Sequence, residues 1–281
     1  MSASTARWID PIISEEIDLD SAMPSVPDVT VASIAISLGI SVSLPVALFA
    51  YYRIRQKISP KVVLAGALVW VVFVLVLERL LHSVVVPVLS SQPLAFAVYA
   101  AVAAGVFEEG GRYIVFTRFL KAKREWKDGM AYGIGHGGVE SFVIGALASA
   151  QILVLALMIN SGSSGQIQGL LGADIASAIT QSLEQPPLVF LLGGIERAFA
   201  LSIQIALSML VLYGLAKGRG LKYLLLAIAF HAGVDFVAAL YQIRILELVT
   251  TELIIGIFAS ISTVIIYLTM KFWPQKTVVS G

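Results

Sequence analysis

Without a single cysteine among its 281 residues, the chain cannot form a disulfide, bind a metal through thiolates or use a cysteine nucleophile. Charged residues are also scarce, at 13% of the sequence against about a quarter in soluble proteins. The formal net charge is only +1, so no basic domain neutralises phosphates, and we expect no nucleic-acid partner. The sequence lacks an HExxH motif and a serine-nucleophile motif, which disfavours typical zincin and serine mechanisms.

Apolar residues are abundant instead, at 58% of the sequence. They form runs of about twenty residues, the length that a helix needs to cross the apolar part of a bilayer. We therefore predict an all-α polytopic membrane protein embedded in a lipid bilayer, with about seven transmembrane helices. The predicted spans are residues 29–52, 61–84, 93–118, 128–159, 187–216, 221–243 and 248–272.

Lysine and arginine are concentrated at one end of these spans, and such residues accumulate in cytoplasmic loops. The basic loops cover residues 53–61, 118–127 and 217–222, whereas only Arg7 and Arg244 fall on the opposite side. We therefore predict that the N-terminus is outside and the C-terminus is cytoplasmic. The predicted domains are an acidic extracytoplasmic segment over 1–28, a single transmembrane domain over 29–272 and a cytoplasmic tail over 273–281.

The longest predicted outer loop, residues 160–186, begins with the flexible stretch "NSGSSGQIQG". Apolar residues then recur every fourth position, which predicts a short helix lying in the membrane interface. These residues are Leu171, Ile175, Ile179 and Leu183. A second such helix is suggested near the N-terminus by Trp8, Ile9, Ile12 and Ile13. The alternative is that both segments are plain connectors.

We interpret twelve ionisable residues as lying inside the membrane, where an Arg, Lys or Asp at a helix centre costs about 2.5–3.5 kcal/mol on insertion scales. They are Glu78, Arg79, His82, Glu108, Glu109, Arg112, His136, Glu140, Glu196, Arg197, His231 and Asp235. Glu109, His136 and His231 each lie eight or nine residues from a basic border, roughly 12–15 Å inside it. Such residues must face one another or water, so this shared depth predicts a functional site.

Two of the spans carry matching pairs of a histidine and an acid. "HGGVESF" at 136 and "HAGVDF" at 231 place Glu140 and Asp235 one turn beyond His136 and His231, on the same helix faces. This pattern predicts two parallel helices that present their pairs to a common cavity. Ion pairs and interhelical hydrogen bonds that only hold the bundle together are the alternative.

Two other groups of residues receive a more structural interpretation. Glu78, Arg79, His82, Glu196 and Arg197 lie nearer the outer face, and we interpret them mainly as a structural network. The glycines in "YGIGHGGVES" allow close packing of helices. They also leave room for a peptide or water to approach His136.

Taken in order, these motifs resemble a known family. "FEEGGRY", "GIGHGGVES" and "GGIERAFALSIQIALSMLVLYG" are similar to the YhfC group of intramembrane metalloproteases. The wider resemblance is to glutamate-dependent intramembrane proteases, which include the CAAX-protease and bacteriocin-processing superfamily and the PrsW proteases. The likeness extends from about residue 60 to residue 245.

The resemblance implies roles for the buried residues. Glu108, the first of the two adjacent acids, corresponds to the general base on the attacking water, and His136 to the residue that positions this water. His231 and Asp235 correspond to the pair that holds the oxyanion. Glu109 completes the acid pair, and Arg112, Glu140 and Tyr132 correspond to supporting residues. Arg112 comes one residue earlier than in the CAAX-protease pattern, so either acid is a candidate for its salt-bridge partner.

The expected function is therefore an intramembrane endopeptidase that hydrolyses a membrane-associated protein or peptide in a bacterial or archaeal cytoplasmic membrane. A proton- or cation-coupled transporter that uses the same buried residues is the alternative. A metal-free mechanism is favoured because His231 with Asp235 matches the oxyanion pair. Zinc held by His136, His231 and Glu108 is the alternative to it.

Overall fold

The computed structural model describes residues 25–274, and within this range all the regular structure is helical. Seven helices are long and apolar enough to cross a membrane, which confirms the predicted number of spans. They are α1 (Asp28–Gln56), α2 (Pro60–Leu89), α3 (Pro93–Arg118), α4 (Trp126–Asn160), α7 (Pro187–Ala216), α8 (Gly220–Gln242) and α9 (Leu248–Lys271). Two short helices, α5 (Ser164–Leu171) and α6 (Ala173–Leu183), lie between α4 and α7. The helix predicted around Trp8 lies outside the described residues.

Local sequence signals set several of the helix ends. Helices α2, α3 and α7 begin at a proline, whose fixed φ and missing N–H suit the first helical position. Helix α4 begins with a capping box, in which Glu125 and Asp128 satisfy each other's backbone N–H groups. Helix α1 ends where Lys57 takes a left-handed conformation with φ 53°.

The segment that we predicted as the longest outer loop contains two helices where one was predicted. The break falls at Gly172, whose φ of 85° is a conformation that residues with a Cβ rarely adopt. Helix α5 also occupies part of the stretch that we expected to be flexible. Ile167 and Leu183 pack in a small cluster with residues of α1 and α4, whereas Ile175 is 53% exposed. One part of the predicted apolar stripe therefore packs against the rest of the protein, and another part is exposed.

Two of the long helices contain a π-helical stretch, a feature that is frequent at functional sites. The stretch in α2 covers Val71–Glu78, and the stretch in α4 covers Ser141–Ala146. Glu78 ends the first stretch, and Glu140 immediately precedes the second. Both π-helical stretches therefore end at or directly follow an acid inside the membrane.

Helix α7 lies at the centre of the bundle. It packs against α1, α3, α4, α8 and α9, and it is the most buried of the seven long helices. Helix α4 packs between α2 and α7, while α8 packs between α3 and α7. The two helices with matching histidine–acid pairs therefore both lie against the central helix.

The glycines of α4 serve close packing. A Cβ on Gly135 would overlap the backbone carbonyl of Val63 in α2, and a Cβ on Gly66 in α2 would overlap the carbonyl of Tyr132 in α4. On another face of α4, a Cβ on Gly133 would lie 2.6 Å from the Cα of Ile205 in α7. The structure thus supports the packing interpretation of the glycine run at these positions.

Candidate active site

Side chains from four helices converge inside the bundle around Glu108 of α3. His136 Nε2 of α4 lies 2.7 Å from Glu108 Oε2, and the Gln204 amide of α7 donates to the same oxygen over 2.9 Å. On the other side of the carboxylate, His231 Nε2 of α8 is 3.9 Å from Glu108 Oε1. All four side chains are buried. The structure therefore brings both histidines of the predicted depth to Glu108, the neighbour of Glu109 in α3.

Glu109 faces away from His136 and is the ion-pair partner of Arg112. The Arg112 guanidinium donates to both carboxylate oxygens of Glu109, and neither side chain is exposed. His231 Nδ1 lies 2.8 Å from Glu109 Oε1, and Arg112 also donates to Gln204 Oε1 over 2.5 Å. This geometry separates the two acids, since Glu109 is held by the arginine and Glu108 is not.

His231 is placed between two acids besides Glu108. While Nδ1 contacts Glu109, Nε2 lies 3.5 Å from Asp235 Oδ2 on the next turn of α8. The Asp235 side chain is 34% exposed, far more than the other acids near His231. Each ring nitrogen of His231 thus faces a carboxylate, and the protonated imidazolium can donate a hydrogen bond from both.

The second acid of α4 joins the same network. Glu140 Oε2 accepts a hydrogen bond from the Gln204 amide over 2.8 Å, and Glu140 Oε1 lies 3.5 Å from Arg197 Nη1. Tyr132, the predicted aromatic neighbour, is fully buried and stacks on the His136 ring with centroids 5.9 Å apart. The tyrosine ring therefore packs against a face of the His136 imidazole.

Gln204 connects the network and was missed by the sequence analysis. Its oxygen accepts from Arg112, so its amide nitrogen points at the carboxylates of Glu108 and Glu140. A search for intramembrane charges passes over it because an amide is uncharged. Only its position on the apolar central helix distinguishes it from an ordinary polar residue.

A cavity of about 710 Å³ adjoins the network. Glu108, Glu140, Gln204, His231 and Asp235 line it, while Glu109, Arg112 and His136 lie behind them. The five charged residues that we predicted to lie nearer the outer face, and interpreted mainly as a structural network, line the same cavity. These residues are Glu78, Arg79, His82, Glu196 and Arg197.

Three of the buried side chains have the composition and spacing of a metal site. Ligand atoms of Glu108, His136 and Glu140 all lie within 4.8 Å of one another. Two carboxylates and one imidazole are ligands that zinc accepts in catalytic sites, so the residues fit such an ion. His231, which we named as a ligand only in the zinc alternative, does not belong to this group. Glu140 takes its place.

The model of the family described as YhfC intramembrane metalloprotease matches residues 40–259, well over half of the chain. The chain belongs to the YhfC family. A relative from Bacillus subtilis (strain 168), named "Uncharacterized membrane protein YhfC", is 37% identical over 243 residues. The match covers 83% of this chain and 93% of the relative. No solved structure matches.

Membership of the YhfC family confirms the narrower resemblance drawn from the motifs. The wider likeness to CAAX proteases and PrsW remains a resemblance of motifs. The family description supports a protease over a transporter. Together with the group formed by Glu108, His136 and Glu140, it also favours a bound metal over the metal-free mechanism that we had preferred.

Proposed function

We propose that this YhfC-family chain is an intramembrane endopeptidase that hydrolyses a peptide bond of a membrane-associated protein or peptide. The observation that carries the proposal is the position of Glu108. Its carboxylate is buried at the edge of the cavity, 2.7 Å from His136 on one helix and 3.9 Å from His231 on another. Hydrolysis needs a base for water and donors for the oxyanion, and these residues are the types that supply both.

Glu108 acts as the general base through one of its two oxygens. Oε2 is occupied by His136 and by the Gln204 amide, which fix the carboxylate in place. Oε1 faces His231 and the cavity, and it is the oxygen that receives the proton of the attacking water. The same proton then passes to the leaving amine as the carbon–nitrogen bond breaks.

His231 stabilises the negative charge that develops on the substrate carbonyl oxygen. Its Nδ1 is held by Glu109, which fixes the ring, while Nε2 faces the cavity near Asp235. A fixed donor in a site of low dielectric is worth more than the same donor in water. Asp235 holds the ring from the cavity side, and its own exposure lets it contact the substrate as well.

His136 and Glu140 would hold the metal of the family's description, and Glu108 would lie beside it with Oε1 left free to act as the base. A zinc ion bound there would act as a Lewis acid on the carbonyl or on the attacking water. Gln204 and Arg197 hold the Glu140 carboxylate in position for this task. Imidazole and carboxylate ligands suit zinc, so zinc is the ion we propose.

We place the chain in the cytoplasmic membrane of a bacterium, with the N-terminus outside. The basic loops support this orientation, and the relative from Bacillus subtilis supports the bacterial origin.

The function is tested with purified protein in liposomes that contain a library of membrane peptides. We expect internal cleavage products by mass spectrometry, and we expect a strong chelator to abolish them until zinc is restored. Matched liposomes without peptides are assayed for movement of protons and cations. Ion flux in the absence of any cleavage product would contradict the proposal in favour of a transporter.

A further inference from the structure

The residues that line the cavity lie on the same side of the buried network around Glu108 in each helix of its wall. In α3 its lining residues run from Phe96 down to Glu108, and in α8 they run from His231 up to Gln242. In α4 the lining residues are Glu140 and a residue one turn beyond it. The network around Glu108 therefore forms the floor of the cavity.

The opposite side of the network is filled by packed side chains. Phe116, Tyr132, Leu207, Met209 and Leu212 are all fully buried there, and they belong to the main apolar core. Such a close-packed interior contains few voids larger than a water molecule. Within the described residues, the cavity is thus the wide approach to Glu108.

The far end of the cavity continues to the surface of the bundle. Phe96 and Gln242 also line a depression of about 390 Å³, which is bounded by Pro93 at the start of α3 and Arg244 after α8. These loops lie at the same end of the bundle as α5 and α6, because successive spans alternate in direction. The basic loops lie at the other end.

The walls of this passage are polar enough for water and for a peptide backbone. Glu78 is 5% exposed, lines the cavity, and has one oxygen without a hydrogen-bond partner among the described residues. Asp235 adds a partly exposed carboxylate on the opposite helix. Backbone groups inside a membrane need hydrogen-bond partners, and these acids can accept from the amides of an extended chain.

We propose that the substrate reaches Glu108 from the extracytoplasmic side, through the mouth formed by the end of α2, the start of α3 and the end of α8. This inference rests on the proposed function and names its substrate class, an outward-facing segment of an exported or membrane-anchored polypeptide. A helix with its side chains is about 10–12 Å across, so about 710 Å³ holds only about five helical residues. The segment therefore enters unwound.

The route is tested by labelling single cysteines, since the chain has no cysteine of its own. Ala238 lines the cavity beyond His231, whereas Ala227 is fully buried one turn before it on the same helix. Lys57→Cys and Gln166→Cys mark the two ends of the bundle. A charged, membrane-impermeant methanethiosulfonate is applied to spheroplasts and, separately, to inverted vesicles.

We expect Ala238→Cys to react in spheroplasts, as Gln166→Cys does, and Ala227→Cys to react from neither side. Reaction of Ala238→Cys only in inverted vesicles, together with Lys57→Cys, would overturn the proposed route. Labelling of Gln166→Cys only in inverted vesicles would overturn the assignment of the outer side. Ala104→Cys, on the cavity wall of α3, serves as the second variant, and failure of both cavity cysteines to react would also contradict the route.

Labelling does not require catalysis, so it tests the route into the cavity even if the protein proves not to be a protease. Where cleavage is observed, reaction of Ala238→Cys should lower it at least tenfold, and reduction of the mixed disulfide should restore it. Unchanged cleavage after complete labelling would show that the substrate does not pass this wall.

Discussion

Replacing Glu109 by glutamine is expected to destabilise the fold more than the same replacement at Glu108. Glu109 and Arg112 are both fully buried, and removing one partner of a buried ion pair costs about 3–5 kcal/mol because the other charge is left uncompensated. Glutamine keeps the shape of the side chain and one hydrogen-bond acceptor for His231, so we expect a loss of stability at the lower end of this range, about 3 kcal/mol. That is a change of roughly 150-fold in the unfolding constant.

The assay is unfolding of the purified protein in mixed micelles with increasing SDS, followed by tryptophan fluorescence. Trp70 is buried inside the bundle, so its fluorescence reports the loss of the packed structure around it. Glu108→Gln is the matched control, because Glu108 borders the cavity and has no arginine as its direct partner. The double variant Glu109→Gln/Arg112→Gln leaves no unpaired charge, so we expect it to be more stable than the sum of the single effects. A Glu109→Gln protein as stable as the wild type, or strictly additive effects, would refute this reasoning.

Two further predictions concern the packing of α4 and the metal. Gly135→Ala should lower the free energy of unfolding by about 1–3 kcal/mol because the added Cβ meets the Val63 carbonyl. Gly110→Ala is the control and should not lower it, because a Cβ on Gly110 meets nothing within 4 Å. The same SDS titration compares the two variants. Purified wild-type protein should contain about one zinc per chain by elemental analysis, and Glu140→Gln should reduce this content at least tenfold. Glu252→Gln, at a buried acid on another helix, should leave the zinc content unchanged, and equal content in all three proteins would contradict the assigned ligands.

The spans were predictable because hydrophobic runs of membrane length have few alternative structures. Their observed ends differ from the prediction by only a few residues, except that α2 extends to Leu89. The π-helical stretches were not predictable, since "VVFVLVLE" has the composition of an ordinary transmembrane helix. The break at Gly172 was visible as a glycine, but its positive φ depends on how α5 and α6 pack against α1 and α4.

The site was predictable only as a set of charges at one depth. Sequence spacing allowed Arg112 to pair with either adjacent acid, and the rotation of α3 towards α7 and α8 decides for Glu109. The choice of Glu140 over His231 in the metal group likewise depends on tertiary contacts, because the sequence places an acid four residues after each histidine. Gln204 carries no charge, and its position within an apolar span was its only signal in the sequence.

The most direct test of the central claim is the rate of peptide cleavage by Glu108→Gln, measured beside the wild type and Glu252→Gln in the same liposomes. Glutamine keeps the shape of the side chain but cannot take a proton from water, so we expect the rate to fall at least about 100-fold. Glu252 is buried but belongs neither to the cavity lining nor to the proposed metal group, so its variant should cleave at the wild-type rate. A folded Glu108→Gln protein that cleaves as fast as the Glu252→Gln protein would contradict the assignment of Glu108 as the base.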